Sequence, residues 1–114
     1  VSIAYDVVFH GDVESPIFGI RITDHKSDII YGTNTRLKRL KSANYKKGDR
    51  VKFTFDFKVT LMGGHYSLSP AVGYNDAKTY CDWVNDMFTL NVMHNNIAEG
   101  ICDLAPVIKI NKEK

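Results

Sequence analysis

Residues 51–59 carry the pattern that most restricts what this chain can become. Val51, Phe53, Phe55, Phe57 and Val59 alternate with Lys52, Thr54, Asp56 and Lys58. Period two sustained over that length predicts an extended strand with phenylalanines on one face and charge on the other. Such a stripe is stable only when a second apolar layer takes it out of water. A second alternating run follows, with Tyr66, Leu68, Pro70 and Val72 on its heavy side and Ser67, Ser69, Ala71 and Gly73 on its light side.

Leu61-Met62-Gly63-Gly64-His65-Tyr66 joins the two runs. The glycines permit a sharp corner, because a residue without Cβ adopts positive φ readily. A tight hairpin would leave both runs in one sheet. A crossover would carry the chain to a facing sheet, with the Tyr66 hydroxyl bonded back to the backbone as in the tyrosine corner of immunoglobulin-like sandwiches. Leucine, glycine, then tyrosine leading into an alternating strand suits the crossover better.

The rest of the chain supplies further strands. Residues 1–9 alternate Ile3, Tyr5, Val7 and Phe9 against smaller or polar partners. Pro16 opens a strand over residues 17–23, in which Phe18, Ile20 and Ile22 oppose Gly19 and Arg21; proline at a strand start removes a donor the ladder does not need. Residues 29–32 form a short strand. Residues 36–50 are a basic connecting loop anchored by Leu37, Leu40 and Tyr45, and residues 75–85 a long loop. Phe88, Leu90 and Val92 mark another strand, and residues 106–110 a last one. Short strands, frequent turn signals and no amphipathic helical window predict an all-β, immunoglobulin-like sandwich of antiparallel strands, one domain over residues 1–114. A chain that opens within a strand and lacks an initiator methionine is expected to be a piece of a longer protein.

Composition narrows the function. Fifteen Lys and Arg against 13 Asp and Glu give a net charge of +2. That is too small for a nucleic-acid specialist, although local patches remain available. The basic run at residues 36–50 reads most simply as a solvated loop, and functionally as a docking patch for an acidic surface or polymer. Cys81 and Cys102 lack the spacing of a metal site and the number of a disulfide framework, so two reduced, at least half-buried thiols are expected. There is no P-loop, no nucleophile elbow, no His-Glu-x-x-His and no spaced Cys/His set. Neither catalytic residues, a bound metal nor a cofactor is expected. The carboxylates Asp76, Asp82 and Asp86 sit in or beside one loop, where they serve turns or sugar hydroxyls more readily than glycosidase chemistry, which needs opposed walls.

What remains is a face and a loop. Gly19, Arg21, Ser67, Ser69, Ala71, Gly73, Thr89 and Asn91 would point outward from one sheet as a shallow polar surface. Tyr74 ends one of its strands, and Tyr80, Asp82 and Trp83 rise at its edge. Aromatic faces stack on sugar C–H bonds while planar polar groups bond hydroxyls, so this surface suits a glycan. The candidate site is therefore Trp83, Tyr80, Asp82, Tyr74, Arg21, Ser67, Ser69 and Asn91. Trp83 serves equally well as a core or subunit-interface residue.

Phe18-Gly19-Ile20, the run from Ile29-Ile30-Tyr31-Gly32 to Thr33-Asn34-Thr35, Lys47-Gly48-Asp49, the corner through Tyr66-Ser67-Leu68, and Asp82-Trp83 before Met87-Phe88-Thr89-Leu90-Asn91-Val92 occur in that order. The ordered set resembles the C-terminal domain of Wzt-type proteins, the ATP-binding subunits of ABC transporters that export O-antigen polysaccharide. The resemblance covers residues 2–92. It implies a dimeric β-sandwich that recognises the finished glycan, attached to an ATPase domain, working with a membrane subunit, and cytoplasmic at the inner membrane. The alternative within the same family setting is a structural module for dimerisation or docking. The strand expected before Val1 is missing, and glycan-contacting residues vary with the polymer, so none is carried over by motif.

Overall fold

The computed structural model describes residues 1–75, 80–93 and 98–112. Seven strands form among them: β1 (Ser2–Val8), β2 (Ile17–Thr23), β3 (Ile29–Asn34), β4 (Arg50–Asp56), β5 (Gly64–Gly73), β6 (Tyr80–Trp83) and β7 (Phe88–Val92). All pairings are antiparallel. β1 and β4 form a two-stranded sheet, and the other five form a second sheet in the order β3-β2-β5-β6, with β7 also on β5.

The two sheets face each other across the side chains that the alternation assigns inward. Phe53 of β4 lies nearly parallel to Phe18 of β2, with ring centroids 5.7 Å apart. Tyr5 and Phe9 complete this half of the core with Val72. Phe55 and Phe57 pack over a second cluster of Ile20, Ile22, Tyr66 and Leu68. Leu68 is fully buried, which contributes about 1.5–3 kcal/mol.

The corner after β4 is a crossover. It leads from the two-stranded to the five-stranded sheet, and the Tyr66 hydroxyl donates to the Met62 carbonyl at 2.6 Å. The bond fixes the angle at which β5 starts, and with it the register that sends Tyr66 and Leu68 inward. Burial, reinforced by the Asp24 carboxylate, raises the pKa of the Tyr66 phenol, so the donating form persists.

β5 is central and yet contains Pro70. β7 pairs with β5 only as far as Leu68, and β6 takes over at Ala71. The Pro70 carbonyl accepts from Val84 N–H on that edge, so its missing N–H falls in the gap between the two partners, where no ladder bond is lost.

Several expectations are corrected. Part of the long loop at residues 75–85 is the strand β6, whose four residues are too few to show an alternation; residues 76–79, including Asp76, lie outside the described residues. The expected strand at residues 106–110 does not form, and Val107, Ile108 and Ile110 are exposed. In the basic loop only Tyr45 is an anchor, stacked on Phe9 at 4.8 Å, while Leu37 and Leu40 are exposed. Cys102 is exposed rather than buried, and the β4 ladder stops at Asp56, leaving Val59 at the surface.

Tyr5 ties the sheets together through its hydroxyl, which donates to the Gly19 carbonyl at 3.0 Å and lies 3.4 Å from that of Ala71. Burial pushes the phenol well above its ordinary value of 10.0, and a phenolate could not make the donation. The unfolded chain releases this proton near pH 10 while the folded chain retains it, so stability falls as pH rises above about 10. Urea unfolding should give a cost of about 1 kcal/mol for Tyr5→Phe near pH 8. That cost should shrink towards zero by about pH 11; an equal cost at both values would contradict the account.

Candidate functional site

The outward face of the larger sheet follows from register. Ala71 lies opposite Gly19 and Trp83, Ser69 opposite Arg21, and Arg21 opposite Gly32. Outward positions across β3, β2, β5 and β6 are therefore Gly32 and Asn34, then Gly19 and Arg21, then Ser69, Ala71 and Gly73, and last Trp83. Side chains this small leave a groove of about 740 Å³. Gly19 is needed at its floor: a Cβ there would sit 3.0 Å from both Asn34 Cβ and the Thr33 carbonyl oxygen. The Tyr5 hydroxyl holds the same floor from beneath.

One wall is Trp83. The Arg21 guanidinium lies over its ring, 4.5 Å from the centroid, and its indole N–H donates to Asn85 Oδ1. Ring and cation hold each other in place, an arrangement worth about 0.5–1 kcal/mol at an exposed site.

The opposite rim is built by Asn34, whose Oδ1 accepts from Leu37 N–H at 2.7 Å. That bond opens a turn closed by Arg39 N–H to the Arg36 carbonyl at 3.0 Å and Leu40 N–H to the Thr35 carbonyl at 2.8 Å. Arg36, Leu37 and Arg39 are thereby carried onto the groove's edge. Arg36 also reaches across to the Asn75 carbonyl at 3.4 Å.

Of the residues expected at the site, Arg21, Ser69 and Trp83 share this groove. Ser69 is only 4% exposed, and its hydroxyl accepts from Asp86 N–H at 2.9 Å, so it braces the turn between β6 and β7 before it offers anything to a ligand. Asp82 and Tyr74 do not line the groove. Asp82 lies opposite Val72, on the other face of the sheet from Trp83, and is exposed there; Asp82 and Tyr74 line a second depression of about 570 Å³ beside β1. Ser67 and Asn91 occupy the far end of the same sheet, where Asn91 bonds the His65 ring. The Tyr80 backbone pairs with Gly73, and its side chain lies outside the described residues.

Sequence reasoning missed Asn34, Arg36 and Arg39 as site residues. The basic run was visible, but only the pairing of β2 with β3 brings it beside Arg21. Among the described residues no group of His, Cys, Asp or Glu could hold a metal ion. The groove offers hydrogen-bond donors, cations and one aromatic ring, which is binding chemistry.

The model of the Wzt C-terminal domain matches residues 1–104. The chain belongs to that family. This Wzt C-terminal domain is thus a non-catalytic domain of a transporter subunit. A crystal structure of the C-terminal domain of wzt is similar to it, with a TM-score of 0.86 and 25% identity over 96% of this chain and 69% of that one. No curated protein matches the chain. Among the described residues of this Wzt domain no helix is long and apolar enough to cross a membrane.

Proposed function

We propose that this domain binds the polysaccharide its transporter exports, in the groove between Trp83 and the rim formed by Arg36 and Arg39. The observation that carries the reading is a groove of about 740 Å³ with a floor of small residues and an aromatic wall held by an arginine. A sugar ring can lie on that floor with its C–H bonds against Trp83, while Arg21 and Asn34 bond its hydroxyls. Arg21 occupies part of the indole surface, so stacking is shared between ring and guanidinium. In this reading the glycan is an O-antigen polysaccharide, and the domain works beside an ATPase domain and a membrane subunit, cytoplasmic at the inner membrane. An open groove gains little from burial, so affinity is weak and depends on several sugars bound at once.

Dimerisation is a second reading, favoured by one observation. Leu104, Val107, Ile108 and Ile110 are each more than three-quarters exposed, at 84%, 84%, 79% and 92%. Each strand of the small sheet has only one partner among the described residues. An apolar segment and an unpaired strand edge complement each other between two copies.

Titration with the exported polysaccharide should change Trp83 emission. Trp83→Ala, read by calorimetry, should weaken binding about tenfold, or ~1.4 kcal/mol, while Asn91→Ala leaves it unchanged. An unresponsive wild-type protein would refute glycan binding. For the second reading, light scattering should report a dimer for the full chain and a monomer once residues 104–114 are removed; a monomer in both cases would rule it out.

A further inference from the structure

We infer that the glycan taken by this groove is anionic, bearing carboxylate or phosphate groups that the arginines hold. The inference rests on the glycan-binding reading above. Three arginines, Arg21, Arg36 and Arg39, line the groove, and among the described residues no aspartate or glutamate does. Among the described residues none of the three forms an ion pair: Arg21 lies over Trp83 and Arg36 is bonded to a backbone carbonyl. In a chain with 15 basic and 13 acidic residues, that is a local concentration of positive charge among the described residues.

The hydrogen-bond inventory points the same way. A sugar hydroxyl both donates and accepts, so a site for a neutral glycan needs side-chain acceptors as well as donors. Here Asn34 Oδ1 already accepts from Leu37 N–H and Ser69 Oγ from Asp86 N–H. Donors dominate what is left, which matches a group that only accepts. Carboxylate and phosphate do so, and the planar guanidinium fork binds either in a bidentate manner. Arg36 and Arg39 stand on the β3 side and Arg21 faces Trp83 near β6. The sheet between these edges spans three inter-strand spacings, on the order of 14 Å, so charges on separate sugars can be held at once. A concave floor with an aromatic wall suits a polymer chain better than a flat membrane surface.

The test uses the polysaccharide made by the cell that encodes this chain, in three forms: native, carboxyl-reduced and dephosphorylated. Calorimetry at about 50 mM and about 300 mM salt follows each, since exposed charges are screened across that range. The native form should bind, and one neutralised form should bind at least about tenfold more weakly (~1.4 kcal/mol), which identifies the anion. The Arg36→Gln/Arg39→Gln protein should lose a similar factor for the native form together with its salt dependence, and bind the neutralised form as the wild type does. Equal binding of all three forms would overturn the anionic inference and leave glycan binding standing. Failure of the native polysaccharide to bind would overturn both. Arginine-dependent binding to phosphatidylglycerol vesicles in its place would assign the groove to a membrane surface.

Discussion

The aromatic layer between the sheets is the constraint on which the rest depends. Phe53 on Phe18, and Phe55 with Phe57 over Leu68, bring two extended layers into contact, while Tyr5 packs against Phe53 within the smaller sheet; aromatic pairs of this kind add about 0.5–1.5 kcal/mol each beyond the area they bury. Because side chains alternate, committing Phe18, Ile20, Tyr66, Leu68 and Val72 inward commits Gly19, Arg21, Ser69, Ala71 and Gly73 outward. The groove is the other side of the core. A register slip of one residue would place Phe18, Ile20 and Ile22 of β2, or Tyr66, Leu68 and Val72 of β5, in water and erase the site together with the fold.

Trp83 reaches the groove by a less obvious route. β5 shares one edge between β6 and β7, and the exchange occurs at a proline that has no donor to lose there. The connection between these two strands is fastened by Asp86 N–H on the Ser69 hydroxyl and by Val84 N–H on the Pro70 carbonyl. Those bonds seat β6 against Ala71, and Ala71 sets the height of the indole beside Arg21. A buried serine on an otherwise open face is thus explained by the strand it positions.

The sandwich was legible because its signal is local. Alternation, the glycine corner and Tyr66 each sit within a few residues of what they determine. β6 was not legible, since four residues reading Tyr-Cys-Asp-Trp carry no alternation and their partner lies elsewhere in the chain. The expected strand at residues 106–110 reads as apolar and extended, but no strand edge takes it up among the described residues. For the site, outward placement of Arg21 and Ser69 follows from period two. The assignment of Trp83 and Asp82 to opposite faces depends on β6 pairing, and the recruitment of Asn34, Arg36 and Arg39 depends on β2 lying beside β3. Neither contact leaves a mark in the local pattern.

Membership of the Wzt C-terminal domain family gives this sandwich its transporter setting, and the groove gives the setting a chemistry. Within one protein, the two depressions and the Asn91 end of the sheet offer three places where a ligand could sit. Amide shift mapping during addition of the exported polysaccharide separates them most directly. The account predicts that perturbed amides cluster at Gly19, Arg21, Gly32, Asn34, Ala71 and Trp83, and spare Tyr74, Asp82 and Asn91. Perturbation confined to the cleft beside β1, or to the Asn91 end, would contradict it.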